Sequence, residues 1–364
     1  MKRSLTFTIH SITGLLSGVF IVAMSLSGSL LVFHDELDQV SFPAIRYSGD
    51  VLLPVDSCYR SLQRQYPNSE ISSCMLPGNA ASPFLFSIYD SSYKNGTAAL
   101  QVFLHPQTGE ALQTRGSGDI KNNFMGWLSS FHSSFHLGKK GEWLLGFFSL
   151  TFLLSIITGL ILYRKNVWVV LSFKKGIFKK SNLHQLIGVY ALLFNLMIGI
   201  TGFWMQRYVF KKEFYSRESY TPVLKTSPAL FYNIDSSFKK LHEQFPNFNA
   251  AVIYFPQTKK SKTAIYGSLS TNSFIHSKKY ADVIFLDSTG NISKTAFVKD
   301  NDPSSRYDII NAQVHYGKYG GLPVKILYCL FGLSGGLLSI TGSVLWIKRR
   351  QRARAGKYNT AASH

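Results

Sequence analysis

Acidic residues are what this chain is short of. Its 364 residues hold 19 Asp and Glu against 39 Lys and Arg. None of those acids falls in residues 1–9, 164–182 or 347–364, which carry 2, 6 and 6 basic residues. A nucleic-acid binder would not need to sort its charges this way, so the pI near 9.8 does not make nucleic acid a partner. Cysteine is scarce as well. Three residues, Cys58, Cys74 and Cys329, exclude a disulfide-rich scaffold. Cys58 and Cys74 fall in one polar segment, where an oxidising compartment would permit a bridge; their spacing leaves it open. No strand is followed by Gly-x-Gly-x-x-Gly and a helix, which argues against a bound nicotinamide or flavin nucleotide. A Walker loop, an acid/base dyad and a nucleophile elbow are absent too.

Long apolar runs are present. Residues 9–33, 143–163, 183–205 and 324–347 are each long and apolar enough to cross a bilayer of about 30 Å. The first follows Lys2 and Arg3 as a signal peptide would, but it is too long and lacks a small-x-small cleavage site, so an uncleaved span is expected. The acid-free basic segments then lie on the cytoplasmic side, with both termini there. Residues 35–142 and 205–323 lie outside. The second outer segment carries 16 basic residues against 9 acids, either a steering field for an anionic ligand or a solvated lysine-rich surface.

Histidines stand at the span ends in matched spacing. His10 precedes Ser27-Gly28 by 17 residues and His184 precedes Thr201-Gly202 by 17; His132 precedes Thr158-Gly159 by 26 and His315 precedes Thr341-Gly342 by 26. Ionisable groups at a membrane edge are costly and usually functional, and imidazole is a common axial ligand of haem iron. The plainer alternative is that each histidine caps a span at the headgroup layer. By topology His10 and His184 share the cytoplasmic face, while His132 and His315 share the outer face. Each pair is then placed to clamp one iron between helices. The haem would be b-type, because no Cys-x-x-Cys-His is present for covalent attachment. Gly14 and Gly18 lie on the face of His10, and Gly188 on that of His184, where a missing side chain admits a flat macrocycle or a neighbouring helix. Two rivals stand near the outer pair, His34 and His136. A single helix from His132 to Tyr163 would run roughly 46 Å, so either Gly138-Lys139-Lys140-Gly141 breaks it or His136 is the ligand.

The two halves repeat: span, outer segment, span. Gln65-Tyr66-Pro67-Asn68 corresponds to Gln244-Phe245-Pro246-Asn247, each closing an amphipathic stretch over about 56–66 and 235–245. Strand-like runs Leu100–His105 and Asp282–Leu286 precede turns that end on Gly109 and Gly290. The outer segments are therefore expected to be small α+β units. The order helix, Tyr-Pro-Asn, strands and Pro-x-Thr-Gly-Glu resembles a PepSY domain. With the histidines, the Ser/Thr-Gly pairs and the closing Trp346-Ile347-Lys348-Arg349-Arg350, nearly the whole chain resembles the PepSY-associated transmembrane family, including FoxB-type ferric-siderophore reductases. Asp287-Ser288 departs from Pro106-Gln107, so the two outer domains need not share a ligand.

The resemblance implies an α-helical membrane protein, a four-transmembrane-helix bundle with two periplasmic α+β PepSY-like domains arising by duplication. Transmembrane helices are expected over 1–34, 127–165 (with a preceding outer helix), 183–206 and 309–348. The PepSY-like domains would occupy 35–126 and 207–308, with a basic loop at 166–182 and a basic tail at 349–364. It further implies a bacterial inner-membrane reductase with two haem b, passing electrons to a ferric siderophore or other ferric chelate and releasing Fe(II). A separate donor, quinol or a cytoplasmic reductase, would supply the electrons, and membrane lipid surrounds the spans. The haem ligands would be His10, His184, His132 and His315, with His34 and His136 less favoured. The competing expectation is a membrane-anchored PepSY module that binds a partner without catalysis. A transporter is disfavoured by the lack of Asp, Glu or Arg within the spans.

Overall fold

The computed structural model describes residues 4–42, 52–79, 82–94, 98–171, 183–216, 230, 232–257 and 261–361. It divides into a helical unit (Met1–His34, Leu128–Arg217 and Val314–His364) and a sheet unit (Asp35–Trp127 and Glu218–Gln313).

Among the described residues, three helices of the first unit are long and apolar enough to cross a membrane: α1 (Leu5–Leu31), α5 (Lys139–Leu171) and α11 (Gly321–Ala361). Many of their large side chains are exposed, as with Val19 at 80 %, while the buried positions of α1 are mostly small or hydroxylated: Thr13, Ser17, Gly18, Ser27 and Ser29, with Ile21. That is the expected arrangement where lipid is as apolar as leucine and helices approach through small residues.

The span expected over 183–205 is not one straight helix. It forms α6 (Leu183–Tyr190) and α7 (Leu192–Gln206), which with the 3₁₀ turn Arg207–Phe210 pass as a fourth span only as a pair bent by 66°. A short α8 (Lys212–Ser216) follows.

His132 lies on a separate short helix, α4 (Phe124–Ser134). Phe135, His136 and Gly138 take positive φ of 50°, 57° and 54°, which ends α4 before α5 begins. Gly141 is required there, since a Cβ would stand 1.6 Å from the Ser134 carbonyl oxygen. The equivalent α10 (Pro303–Tyr316) ends in the same manner at Gly317 and Gly321, φ 66° and 63°. α5 and α11 run past their expected ends at 165 and 348, so part of the basic segments continues as helix; residues 172–182 lie outside the described residues.

The sheet unit repeats the order helix then four strands. α3 (Val55–Gln65) precedes β1 (Glu70–Met75), β2 (Phe84–Tyr89), β3 (Ala99–Leu104) and β4 (Ala111–Gly116). α9 (Ile234–Gln244) precedes β5 (Phe248–Tyr254), β6 (Thr263–Leu269), β7 (Asp282–Leu286) and β8 (Ile292–Ala296). The strands of the two expected α+β units form one antiparallel sheet in the order β4-β3-β2-β1-β5-β6-β7-β8. The joint is β1 against β5, with Cys74 opposite Ile253. Pairing removes one open edge from each half, and it pools their apolar side chains: Ile234, Ile253 and Phe255 pack with Phe84, Phe86, Val102 and Leu104.

The two helices cap each other. The Asp235 carboxylate accepts from the Val55 and Asp56 amides at 2.9 and 3.0 Å, and Asp56 accepts from the Ile234 amide at 3.4 Å. Gly109 and Gly290 take φ of 70° and 79°, as their turns require. Cys58 and Cys74 are buried free thiols rather than a disulfide, and burial pushes the Cys58 thiol up to about 12. Arg115, on β4, is 3 % exposed and donates through two nitrogens to Asp38 of α2 (His34–Gln39) at 2.7 and 2.9 Å.

Candidate functional site

The four histidines singled out by spacing are all held in one way. Nδ1 of His10 lies 3.3 Å from the Thr158 hydroxyl and 3.0 Å from the Ser155 carbonyl oxygen. Nδ1 of His132 lies 2.8 Å from the Ser27 hydroxyl, that of His184 3.0 Å from Thr341, and that of His315 2.9 Å from Thr201. Each hydroxyl donates its own proton to the carbonyl four residues earlier, at Leu154, Ala23, Leu337 and Met197. With that proton so placed, the hydroxyl offers the ring a lone pair and Nδ1 carries the proton and donates; at His10 the Ser155 carbonyl, which can only accept, requires the same tautomer. Nε2 then keeps its lone pair, the state a metal ligand needs.

The glycine after each hydroxyl makes room for the ring. A Cβ at Gly28 would stand 3.0 Å from His132 Cε1, one at Gly159 or Gly202 3.1 Å from His10 or His315, and one at Gly342 3.2 Å from His184. The Ser/Thr-Gly pair is thus a seat for an imidazole.

The seating crosses between helices. Counting along the chain joins His10 to Ser27-Gly28, but in the fold His132 occupies that seat and His10 sits on Thr158-Gly159. His184 takes Thr341-Gly342 and His315 takes Thr201-Gly202 in the second half. The signal was present in the depths assigned from sequence: a dipeptide 17 residues into a span lies at the opposite face from the histidine that opens it.

The His10 and His184 rings have centroids 6.2 Å apart and planes at 68°. A metal–imidazole bond is about 2 Å, and a ring nitrogen lies about 1.1 Å from the ring centre. Two imidazoles on opposite sides of one metal would therefore have centres roughly 6.2 Å apart. Both rings line a cavity of about 510 Å³, as do Gly14, Gly188, Gly159 and Gly342, with Lys348, Arg349 and Arg352 among its lining residues. Gly18 does not line it; its missing side chain faces Ser343 across the helix contact with α11. His132 and His315 are held on different helices, by Ser27 of α1 and Thr201 of α7. The rivals are placed differently. His136 sits in the α4–α5 turn with its ring against Phe131, and His34 opens α2. Among the described residues no group of three or more His, Cys, Asp or Glu side chains could hold a metal ion.

The family model for the PepSY-associated transmembrane region matches residues 7–349. The chain belongs to the PepSY-associated transmembrane family. The match takes in all four histidines and their seats and makes this a membrane protein. No curated protein matches the chain.

Sequence reasoning missed the bend between α6 and α7 and the residue beside it, Asn195, which is 5 % exposed and lines the same cavity. An uncharged polar residue inside an apolar run is a weak signal, but it was the one to follow.

Proposed function

We propose that this PepSY-associated membrane protein is a di-haem b electron carrier, with one haem between His10 and His184 and another between His132 and His315. It would deliver electrons across the bacterial inner membrane to a ferric chelate such as a ferric siderophore. The observation that carries the proposal is the His10–His184 pair, two Nδ1-protonated imidazoles 6.2 Å apart on a cavity of about 510 Å³.

The residues suit the group. Two ligands per site fit an iron whose four equatorial positions are filled by a macrocycle, and the glycines leave flat space beside the rings. Lys348, Arg349 and Arg352 offer cations to the two carboxylates of a b-type haem. A haem held by two of these histidines would supply one-electron transfer rather than oxygen binding. The chain's own part is to orient and insulate: each hydroxyl fixes the tautomer of one imidazole, and each glycine sets how far its ring can retreat.

The basic, acid-free ends support an orientation with both termini and the 166–182 loop cytoplasmic. The sheet unit is then periplasmic. The matched order of elements supports a duplicated ancestor and a four-helix bundle, with α6 and α7 as one bent span. Hard oxygen donors hold ferrous iron far less tightly than ferric, so one-electron reduction would release the metal. Electrons would come from quinol or a cytoplasmic reductase.

Visible spectra of the detergent-purified protein, oxidised and dithionite-reduced, test the proposal. Two low-spin b-type haems per chain are expected. Loss of either His10 or His184 to Ala should remove one of them, and loss of His132 or His315 the other. A purified wild-type protein with no Soret band ends the proposal. A cellular role that survives all four substitutions, with no ferric-chelate reduction by the purified wild type, would favour a binding role for the sheet unit instead.

A further inference from the structure

The bend between α6 and α7 lies inside an apolar span with no proline to cause it; residues 183–206 contain none. Sharp bends in helices arise at proline, at small residues, or where a side chain enters the i→i−4 ladder. Here small residues, Gly188 and Ala191, stand at the bend, and a side-chain amide adds a second donor to a carbonyl that keeps its own ladder bond. Ala191, between the two helices, has φ −94° and ψ 5°, and its carbonyl accepts both the Asn195 amide, at 2.8 Å, and the Asn195 side-chain Nδ2, at 3.0 Å. Nδ2 also donates to the Ser334 hydroxyl of α11 at 2.9 Å, and that hydroxyl donates its own proton to the Phe331 carbonyl. Both protons of the amide are therefore used, one on the bend and one on the neighbouring helix.

The neighbourhood is built around this amide. Asn195 and Ser334 are each 5 % exposed. A Cβ on Gly335 would stand 3.4 Å from Asn195 Oδ1 and 3.0 Å from Ser25 Oγ, so glycine is what lets α11 pass this close. Asn195 lines the cavity that holds His10 and His184. A buried amide in lipid is retained only against the cost of its desolvation, and broken helices at that depth are found where they line a cavity.

We infer that Asn195 is a positioning residue for the His10–His184 site: by clamping the Ala191 carbonyl and Ser334, it sets the direction in which α6 carries His184 toward His10. The inference rests on the haem reading above. It assigns to the amide no contact with the iron or its ligands. α6 has only eight residues, and its axis departs from α7 by 66°, so a small change at the bend moves the imidazole at its far end. His132 and His315 are carried by α4 and α10; the His315 seat, Thr201-Gly202, is on α7 but lies beyond Asn195 on the side away from the bend, so it should keep its place.

The test compares wild type, Asn195→Leu and Ser334→Ala by haem-to-protein ratio, electron paramagnetic resonance of the low-spin ferric signals, and redox titration. Asn195→Leu keeps the number and branching of the side-chain heavy atoms and removes both hydrogen bonds. Haem affinity at the His10–His184 site should fall roughly 10-fold, as for other groups that orient a metal ligand from outside its shell. The low-spin signal and potential of that site should shift, while the His132–His315 signal stays. Ser334→Ala keeps the bond to Ala191 and should give a smaller shift in the same signal. Wild-type values for both signals in Asn195→Leu overturn the inference, and so does equal loss of both signals, which would mark a general folding role. Either result leaves the haem reading standing if wild type carries two haems. A wild-type protein without haem ends the reading itself.

Discussion

The two units of this protein solve opposite packing problems. In the sheet unit the interior is Phe84, Phe86, Ile88, Val102, Leu104, Ile253, Ile265 and Leu286, each 2 % exposed or less. In the helical unit the buried positions include Thr13, Ser17, Ser27, Thr158, Asn195, Thr201 and Ser334, while Val19 and Leu193 are 80 % exposed. Water drives apolar side chains inward in the first; lipid offers no such drive in the second. The interior of a membrane bundle is therefore free to be polar, and polar groups there can hold imidazoles in one tautomer. The function proposed above depends on that freedom.

The sharpest way to break this comparison is to truncate a large side chain in each unit. Phe86→Ala should destabilise the sheet unit by about 3–5 kcal/mol, measured by chemical denaturation followed by near-ultraviolet circular dichroism. Val19→Ala, on the exposed face of α1, should fall within about 0.5 kcal/mol of wild type by the same measurement. Equal effects would mean that the two interiors are not built on different principles.

A smaller change probes the polar interior directly. Thr341→Ala removes the acceptor that holds His184 Nδ1; on the proposed haem reading, haem affinity at that site should fall about 10-fold or more. Thr201→Ala should do the same to the His315 site and leave the first untouched. Haem-to-protein ratios with resolved low-spin signals would decide it; cross-talk between the sites would contradict the seating described here.

The smallest effects compare the two halves of the sheet. Gly109 and Gly290 both have positive φ, so alanine costs about 1–2 kcal/mol at either. At Gly109 the new Cβ meets only Ser61 at 3.5 Å, whereas at Gly290 it would stand 2.5 Å from Tyr232 and 2.6 Å from Ser237. Gly290→Ala should therefore lower the melting temperature more than Gly109→Ala. The reverse order would show that the two turns are not equivalent in the way their backbones imply.

Some of this was legible before any coordinates. The stretches read as amphipathic over 56–66 and 235–245 correspond to α3 and α9, and the run at Asp282–Leu286 is β7, because side-chain period follows from local geometry. The break before the second span was readable from Gly138 and Gly141 together with the thickness of a bilayer. The single sheet was not, since the pairing of β1 with β5 joins segments about 180 residues apart and has no local signature. Nor was the exchange of seats among the histidines: spacing along a chain reports which residues share a helix, not which helix faces them.

Membrane crossing and the candidacy of four histidines follow from composition and spacing alone, since each depends on forces acting within a few turns of the chain. Which hydroxyl holds which imidazole, the union of two outer segments in one sheet, and the bend at Ala191 were decided by tertiary structure. Those features arise from contacts between distant segments, whose partners are chosen by shape and hydrogen-bond geometry once the helices and strands have met.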